Sequence, residues 1–279
     1  MTHVTVNDTQ LFYTDEGQGD ETLLLIHGGT CDSHDWAPQM APFTARHRVV
    51  AVDLRGHGRS QEARTTHRPA DYATDLALLV ELLGTGPVIA VGHSLGALVA
   101  SVLAVEHPEL VRAVVAVDPS WGFEAAFAAA TAKAFRTPDP VGVAAAVLSQ
   151  MEGSGPGTPA WLGDWHRRRA LAMSPDVVSG IFLGIFDLES EKTVRGRAEE
   201  YLLRRSCPVL TVGAAASLKA KGIDGYWDKS VSAHPYSESV VWDGVGHWLF
   251  QERPDEFNAL LLDWIAEFPR QHRSTHRHR

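Results

Sequence analysis

Short apolar segments recur along the chain and alternate with amphipathic or alanine-rich stretches. The apolar segments have the length of strands, whereas the stretches between them are long enough for helices. Such alternation is typical of strand-helix units that build a mostly parallel sheet, and it predicts an α/β fold. The predicted strands are Thr22–His27, Arg48–Asp53, Pro87–Gly92, Val111–Asp118, Pro208–Gly213 and Ser239–Trp242.

Four of the stretches between strands predict helices, because each starts or stops near a proline, an aspartate or a glycine. The opening segments Val4–Val6 and Leu11–Thr14 instead predict an antiparallel hairpin at one edge of the sheet. The predicted helices are Asp35–Arg46, Ala70–Leu83, Leu95–His107 and Pro254–Phe268.

The strand rhythm stops between Pro119 and Ser206, where helix-like pieces take over. A stretch rich in glycine, serine and proline, EGSGPGTP, separates two of these pieces and marks a flexible joint. We expect an insertion of this kind to be a helical lid rather than an independent domain. The expected organisation is a core of residues 1–118 and 207–269, a lid of residues 119–206 in the same domain, and a disordered tail of residues 270–279.

Length and composition bound the class of protein. With 279 residues, of which 44% are hydrophobic, the chain is long enough to bury one large core. It contains no run of about eighteen apolar residues. Its first residues, MTHVTVNDTQ, lack the basic and apolar regions of a secretory signal. We therefore expect a soluble, cytoplasmic protein that does not bind a membrane.

Charge and cysteine content narrow the expected partners. The net charge of −9 argues against a nucleic acid as the binding partner. The two cysteines, Cys31 and Cys207, give neither a disulfide framework nor the spacing of a metal finger, so we expect reduced thiols. The expected partner is a small-molecule substrate, with no cofactor and no metal, and a homodimer is left open.

The segment VIAVGHSLGALVASVLA, Val88 to Ala104, places a polar serine between two glycines inside an apolar run. If a strand ends and a helix begins here, the chain turns sharply at Ser94, and Gly92 and Gly96 remove the side chains that would collide. Ser94 would then lie at the carboxyl end of the sheet, close to the free N–H groups of a helix N-terminus. A catalytic nucleophile needs this placement. The alternative is an ordinary capping serine.

Two other segments have the residue types that acyl transfer needs. The motif HGG at residues 27–29 follows an apolar strand, and a glycine loop lets the backbone approach a substrate closely. The amides of Gly29 and Leu95 are the natural pair of donors to an oxyanion. His247 follows a short strand late in the chain, where its imidazole can act as general base for Ser94. The alternative for HGG is a simple turn that ends the strand. The alternative for His247 is a loop histidine that packs locally.

From HGG through DLRGHGRS and GHSLG to GVGH, the chain resembles the α/β-hydrolase superfamily over nearly its whole length. The combination of these motifs is far more specific than any one of them. The resemblance implies a nucleophile, an acid and a histidine in that order along the chain, and an oxyanion hole built by Gly29 and Leu95. It also implies a helical lid between the sixth and seventh core strands. Ser94 and His247 match the nucleophile and the base of the family.

The acid of the family does not carry over directly. Most members have it a few residues after the seventh strand, where this chain has AAAS at residues 214–217. Some members place the acid after the sixth strand instead, where this chain has Asp118. We therefore predict that Asp118 orients the imidazole and stabilises its charged form. Asp224 and Asp228, after a longer loop, are the alternatives.

Aromatic residues in the predicted lid and beside the base favour an apolar or aromatic substrate pocket. The competing interpretation is that these rings pack the lid onto the core. The stretch WHRRR at residues 165–169 is interpreted as a solvated helix face rather than an anion site. The candidate substrate-binding residues are Trp121, Trp165, Trp248 and Thr30, the last of which adjoins the oxyanion loop.

These residues favour a serine hydrolase that cleaves an ester or lactone bond through an acyl-enzyme intermediate. A narrower resemblance, of TVGAAAS to hydrolases of the macrocyclic lactone zearalenone, implies a lactone as the substrate. An aspartate nucleophile is disfavoured because Ser94 occupies the turn. A C–C bond hydrolase, a cofactor-free oxygenase and a ligand receptor without turnover stay open, since each can use the same scaffold.

Overall fold

A central sheet organises the fold. The computed structural model describes residues 2–63, 66–153, 155 and 157–268, and within these ranges eight strands form one sheet. The strands are β1 Thr2–Val6, β2 Thr9–Glu16, β3 Thr22–Ile26, β4 Arg48–Val52, β5 Val88–His93, β6 Val111–Val117, β7 Val209–Ala214 and β8 Glu238–Trp242.

The strand order is β1-β2-β4-β3-β5-β6-β7-β8. From β4 to β8 in this order each pair of neighbours is parallel, whereas β2 is antiparallel to both β1 and β4. Every residue of β3, β5 and β7 is buried. These strands are almost continuously apolar because helices cover both faces of a parallel sheet.

Helices flank the sheet on both faces. Alternate residues of a strand face opposite sides, so Leu24 packs with Tyr72 and Leu98 in one apolar layer, and Leu25 belongs to the other layer with Phe257. The helices are α1 Ala37–Thr44, α2 Pro69–Leu83, α3 Leu95–Glu106, α4 Ala125–Phe135, α5 Pro140–Gln150, α6 Leu162–Leu171, α7 Pro175–Leu183, α8 Arg197–Leu202, α9 Ala215–Lys221, α10 Gly225–Ser230, α11 Leu249–Glu252 and α12 Pro254–Ala266.

The structure confirms the predicted fold class and the predicted strands and helices, whose ends agree within two residues. The predicted hairpin lies at one edge of the sheet. The predicted helix Asp35–Arg46 begins as a 3-10 turn at Ser33–Trp36 and continues as α1. The turn starts early because the side chain of Asp32 accepts a hydrogen bond from the backbone N–H of His34.

The segment between β6 and β7 is helical and contains α4 to α8. Ile181 of α7 lies over Gly29, since its Cγ2 is 3.2 Å from the place that a Cβ on Gly29 would occupy. Part of the segment therefore covers the loop that follows β3. Its action as a lid and the domain boundaries 119–206 stay predictions. Two residues of the predicted joint, 154 and 156, and the predicted tail 270–279 lie outside the described residues.

In the described part of the chain, no single helix combines the length and the apolar composition that crossing a membrane requires. The helix α6 and the following stretch Pro175–Leu188 reach them only together, as a pair bent by 107°. The cytoplasmic location stays a prediction. Cys31 and Cys207 are both buried and free.

Candidate active site

Ser94 occupies the sharp turn between β5 and α3, as the glycine spacing predicts. Its backbone has φ of 53° and ψ of −115°, a conformation that is sterically costly for a residue with a side chain. Its amide N–H donates to the carbonyl oxygen of Val117 at 2.9 Å, which ties the turn to the end of β6. The residue is half-buried. The serine is therefore held in a strained turn at the carboxyl end of the sheet.

Two glycines make this turn possible. A Cβ on Gly92 would lie 2.1 Å from the carbonyl oxygen of Gly96, and a Cβ on Gly96 would lie 2.2 Å from the carbonyl oxygen of Ile26. Both distances are far below van der Waals contact, so a side chain at either position would push backbone apart. The turn can close only because neither residue has a side chain.

Backbone strain concentrates around this turn. Among the described residues, the non-glycine positions with positive φ are Asn7, Thr30, Ser94 and Asp118. Three of these four are residues that the sequence proposes for the site. Strained conformations of this kind persist where the surrounding structure forces them, and they cluster at functional sites.

Strand register brings Ser94 and Asp118 together. His93 and Val117 are partners in the parallel pairing of β5 and β6, so the residues that follow them leave the sheet side by side. Asp118 in turn accepts a hydrogen bond from Nδ1 of His247, at 2.5 Å from Oδ2. The structure therefore places these three residues together beyond the carboxyl ends of β5 and β6.

The carboxylate of Asp118 is buried, and both of its oxygens accept hydrogen bonds. Its Oδ1 accepts from the backbone N–H of Ala214 at 3.0 Å, and its Oδ2 accepts from the hydroxyl of Ser217 at 2.6 Å as well as from His247. Burial raises the pKa of this carboxyl, but the hydrogen bond and charge of His247, with the nearby Lys221 ammonium and Ser217, outweigh burial and hold the pKa at about 2. Asp118 is an anion at neutral pH.

His93 links the loop of His247 to the turn of Ser94. Its Nε2–H donates to the carbonyl oxygen of His247 at 2.9 Å, and the two rings lie 4.4 Å apart. Burial, together with the neighbouring His247, holds the pKa of His93 well below its usual value, so His93 is neutral. The amide of His247 also donates to the carbonyl oxygen of Met151 at 2.9 Å. The backbone of His247 is thus fixed on both sides.

The two residues predicted to form the oxyanion hole, Gly29 and Leu95, are neighbours in the structure. A Cβ on Gly29 would be 4.0 Å from Cδ2 of Leu95. Leu95 is the first residue of α3, so its N–H belongs to the amides that have no acceptor within the helix. A Cβ on Gly28 would be 3.3 Å from the Cβ of Ser94, so the glycine loop runs directly past the serine. Their role as an oxyanion hole stays a prediction.

The alternative acids make other contacts. Asp224 caps α10 by accepting a hydrogen bond from the backbone N–H of Trp227 at 3.0 Å. Asp228 is buried and accepts from the indole N–H of Trp121 at 2.9 Å. The hydrogen bond that His247 makes with a carboxylate goes to Asp118 instead.

The candidate substrate-binding residues differ in their surroundings. Trp121 is fully buried, and its indole N–H donates a hydrogen bond to Asp228. These contacts fit the interpretation that its ring packs the predicted lid onto the core. Trp165 is 42% exposed, and its indole N–H points to Asp35 at 3.4 Å. Trp248 is buried, and its ring meets that of His247 edge-on at 5.1 Å. Their role in binding stays a prediction.

The last candidate, Thr30, is 2% exposed, and its hydroxyl is buried without a hydrogen-bond partner in the structure. It follows Gly29 directly along the chain and has φ of 61°. A buried hydroxyl without a partner is uncommon, so it is a group that a bound ligand can satisfy. Binding by Thr30 also stays a prediction.

The interpretation of residues 165–169 as a solvated face is wrong for two of the residues. His166 is 1% exposed, and its ring stacks on Trp248 at 3.9 Å. Arg169 forms ion pairs with Asp32, at 2.7 Å, and with Asp35. Charged and polar residues can be buried when they are paired, and residue type alone does not reveal the pairing.

Two serines of the site were not predicted from the sequence. Ser217 donates to Asp118, and the hydroxyl of Ser120 lies 3.2 Å from that of Ser94. A signal existed for Ser217, because it lies in the AAAS stretch where most of the superfamily has its acid. No comparable signal marks Ser120, which follows the end of β6 by a few residues.

The sequence model of the alpha/beta hydrolase family matches residues 23–260, which include Ser94, Asp118 and His247. The chain belongs to the alpha/beta hydrolase family. The match extends from β3 to α12 and includes the helical segment between β6 and β7.

Individual alpha/beta hydrolases are similar to this chain over different lengths. The 2-(acetamidomethylene)succinate hydrolase of Mesorhizobium japonicum is 40% identical over 115 residues, which are 41% of this chain and 41% of that protein. The matched regions span 35–41% of the length of the first curated relatives. These partial matches do not transfer a substrate to this chain.

Solved structures match over nearly the whole chain. The enol-lactonase of Burkholderia xenovorans LB400 has a TM-score of 0.79 at 19% identity and covers 95% of this chain and 100% of that chain. An E-2-(acetamidomethylene)succinate hydrolase has a TM-score of 0.70 at 26% identity and covers 95% and 98%. These likenesses show that the fold is that of the alpha/beta hydrolases.

The close approach of α3 to β3 predicts the effect of a side chain at Gly96. Gly96→Ala places a methyl group against the carbonyl oxygens of Ile26 and His27, so we expect a loss of about 3 kcal/mol in the free energy of unfolding. Gly213→Ala is the control, because its Cβ would make ordinary contacts with Leu218 at 3.4 Å. Urea denaturation of both variants measures the difference. Equal stability would contradict the tight packing described here.

The pKa of Asp118 predicts how stability depends on pH. A carboxyl whose pKa is lowered by folding stabilises the protein above its unfolded pKa, and this contribution disappears as the pH falls through the folded pKa. The shift from 3.8 to about 2 corresponds to about 2 kcal/mol. Urea denaturation at several pH values is expected to show that the stability difference between wild type and Asp118→Asn shrinks by this amount from pH 5 to below pH 2. A difference independent of pH would contradict the assignment.

Proposed function

We propose that the protein is a serine hydrolase that cleaves an ester or lactone bond of a largely apolar small molecule, with Ser94 as nucleophile, His247 as base and Asp118 as acid. The observation that carries the proposal is the buried hydrogen bond between Asp118 and His247 beside the strained turn of Ser94. Membership in the alpha/beta hydrolase family supports the same assignment.

In the proposed first step, Nε2 of His247 takes the hydroxyl proton of Ser94 while Oγ attacks the carbonyl carbon. Asp118 holds the proton on Nδ1, which leaves Nε2 as the basic nitrogen, and its negative charge stabilises the imidazolium that forms. The pKa of about 2 keeps Asp118 charged throughout the cycle. The carbonyl oxygen becomes an oxyanion, which the amides of Gly29 and Leu95 stabilise.

In the second step, the tetrahedral intermediate collapses, the bond from carbon to the leaving oxygen breaks, and His247 returns its proton to that oxygen. A lactone then stays attached as one open chain, whereas an ester releases an alcohol. Water then attacks the acyl-enzyme while His247 takes one of its protons, the bond from carbon to Oγ breaks, and His247 returns that proton to Oγ, which releases the carboxylic acid and restores Ser94. The cycle needs no oxidant, reductant or cofactor.

The proposed substrate class rests on the apolar groups around the loop of Gly29. Ile181 lies over this loop, and Phe182 follows it in α7. Trp248 adjoins the base. An apolar acyl or alcohol group fits such surroundings, with the hydroxyl of Thr30 as a polar contact.

The proposal predicts that activity depends on one of two neighbouring serines. Ser94→Ala removes the nucleophile, so we expect kcat/KM for esters and lactones to fall at least about a thousandfold. Ser120→Ala is the matched control, because its hydroxyl lies 3.2 Å from that of Ser94 but has no covalent role in the cycle. It is expected to stay within about tenfold of wild type.

A panel of esters, lactones, thioesters and amides, run with wild type and both variants, measures this prediction. Product analysis with and without oxygen separates hydrolysis from cofactor-free oxygenation, and a C–C substrate tests the remaining enzyme class. Undiminished ester hydrolysis by Ser94→Ala would remove the proposal. If no substrate in the panel is turned over and Ser94 reacts with no serine-directed probe, a ligand receptor is the better description.

The contact between Ser217 and Asp118 predicts that the carboxylate of the triad can be moved from position 118 to position 217. Asp118→Asn is expected to lower kcat about a thousandfold or more, whereas Asp224→Asn is expected to change it little. Ser217 lies 2.6 Å from the oxygen of Asp118 that binds His247, so a carboxylate at 217 can reach the same nitrogen.

The double variant Asp118→Gly/Ser217→Asp is therefore expected to be at least about tenfold more active than Asp118→Gly alone. Glycine is chosen at 118 because this position has φ of 40°. Steady-state kinetics on one ester compares the four variants. A large loss in Asp224→Asn together with an active Asp118→Asn would assign the acid to Asp224 and contradict this account.

A further inference from the structure

A second cluster of reactive side chains lies beside Trp248, whose ring contacts those of both His166 and His247. Cys31 and Asp35 follow β3, and His166 belongs to α6. All three are buried, and one ligand atom from each lies within 4.8 Å of the others. Thiolate, imidazole and carboxylate groups are the ligands that zinc takes in proteins. Two segments far apart in the sequence thus supply one compact ligand set.

The ring of His166 is held in the orientation that metal binding needs. The amide of Gln251 donates through Nε2 to the carbonyl oxygen of Asp35 at 2.9 Å, so its Oε1 is left to accept from Nε2–H of His166 at 3.0 Å. The proton therefore sits on Nε2, and the lone pair of Nδ1 accepts a hydrogen bond from the thiol of Cys31. That lone pair faces the sulfur of Cys31 at 3.8 Å. A ligand histidine characteristically donates its other N–H to an oxygen in this way.

One oxygen of the Asp35 carboxylate, Oδ2, is available for a metal ion. Arg169 forms an ion pair with Oδ1, whereas Oδ2 is buried without a hydrogen-bond partner in the structure. Asp35 is 1% exposed, so water does not satisfy this oxygen from bulk solvent. Burying an unpaired carboxylate oxygen costs free energy, and a bound cation removes this cost.

The spacing of the ligand atoms fits a zinc ion. Zinc binds sulfur at about 2.3 Å and imidazole nitrogen at about 2.0–2.1 Å, and a tetrahedral angle between them separates the two atoms by about 3.5 Å. The sulfur of Cys31 and Nδ1 of His166 are 3.8 Å apart. Small side-chain rotations therefore suffice to form both bonds.

The charges around the cluster also fit a divalent cation. Asp32 and Asp35 contribute two negative charges, and Arg169, which pairs with both, contributes one positive charge. His166 is neutral, because burial lowers its pKa to about 4. A zinc ion that binds the deprotonated thiol of Cys31 brings the sum of these charges to zero. Arg169 neutralises Asp32 and still leaves Oδ2 of Asp35 available.

We propose that Cys31, Asp35 and His166 form a zinc-binding site that fastens α6 to the segment after β3. Binding forms a bond from zinc to sulfur and releases the thiol proton to solvent, with no change in oxidation state. Burial raises the pKa of the Cys31 thiol well above its usual value, Asp35 adds to the rise, and Arg169 and Trp248 oppose it. Zinc therefore has to displace the thiol proton when it binds.

Metal binding to the full chain tests this site without any assay of activity. The protein is first treated with a chelator and a non-thiol reductant, freed of both, and then mixed with zinc. Wild type is expected to retain one zinc per chain through gel filtration. With free zinc at about a hundredfold its Kd, Tm is expected to rise by about 5 °C or more. Cobalt in place of zinc is expected to give the near-ultraviolet charge-transfer band of a cobalt–thiolate bond.

Matched variants assign the ligands. Cys31→Ser is expected to lose the charge-transfer band and the rise in Tm, whereas Cys207→Ser, at the other buried cysteine, keeps both. His166→Gln provides a second ligand variant in case Cys31→Ser does not fold. The histidines at positions 272, 276 and 278 offer zinc a competing set of imidazoles, but no cysteine lies among them.

The cobalt band therefore separates the two sites. Absence of a thiolate band in folded wild type, or zinc retention that is unchanged in both Cys31→Ser and His166→Gln, would overturn the proposal. Neither outcome bears on Ser94, because the variants leave the proposed triad intact.

Discussion

The arrangement of the candidate site depends on the buried hydrogen bond between His247 and Asp118. It joins the end of β6 to a loop that is 129 residues away along the chain. The parallel register of β5 and β6 then places Ser94 beside Asp118, and the hydrogen bond from His93 fixes the backbone of His247. Because Asp118 accepts three hydrogen bonds, its charge persists in a site from which water is largely excluded.

Trp248 connects this site to the proposed zinc site. Its ring meets the ring of His247 edge-on at 5.1 Å and stacks on the ring of His166 at 3.9 Å. A metal that fixes His166 would also fix the indole beside the base, and it would hold α6 against the loop that follows β3. Through Trp248, metal binding at the proposed site would thus couple the position of α6 to the surroundings of the base.

Much of this organisation follows from local sequence patterns. Alternating apolar segments predict the strands, and the glycines around Ser94 predict the turn, because both depend on interactions between residues near in sequence. The hydrogen bond of Ser217 and the burial of His166 and Arg169 depend on contacts across more than eighty residues, which residue type does not encode. Trp121 is another example: it follows Asp118 closely along the chain, but it lies in the core and donates a hydrogen bond to Asp228, a contact that the local sequence does not indicate.

The rate at which a fluorophosphonate modifies the protein tests whether Asp118 and His247 activate Ser94. We expect a single adduct on Ser94, located by peptide mass spectrometry, and a rate about a hundredfold lower in Asp118→Asn. An adduct on a different residue, or equal rates in wild type and Asp118→Asn, would contradict this activation.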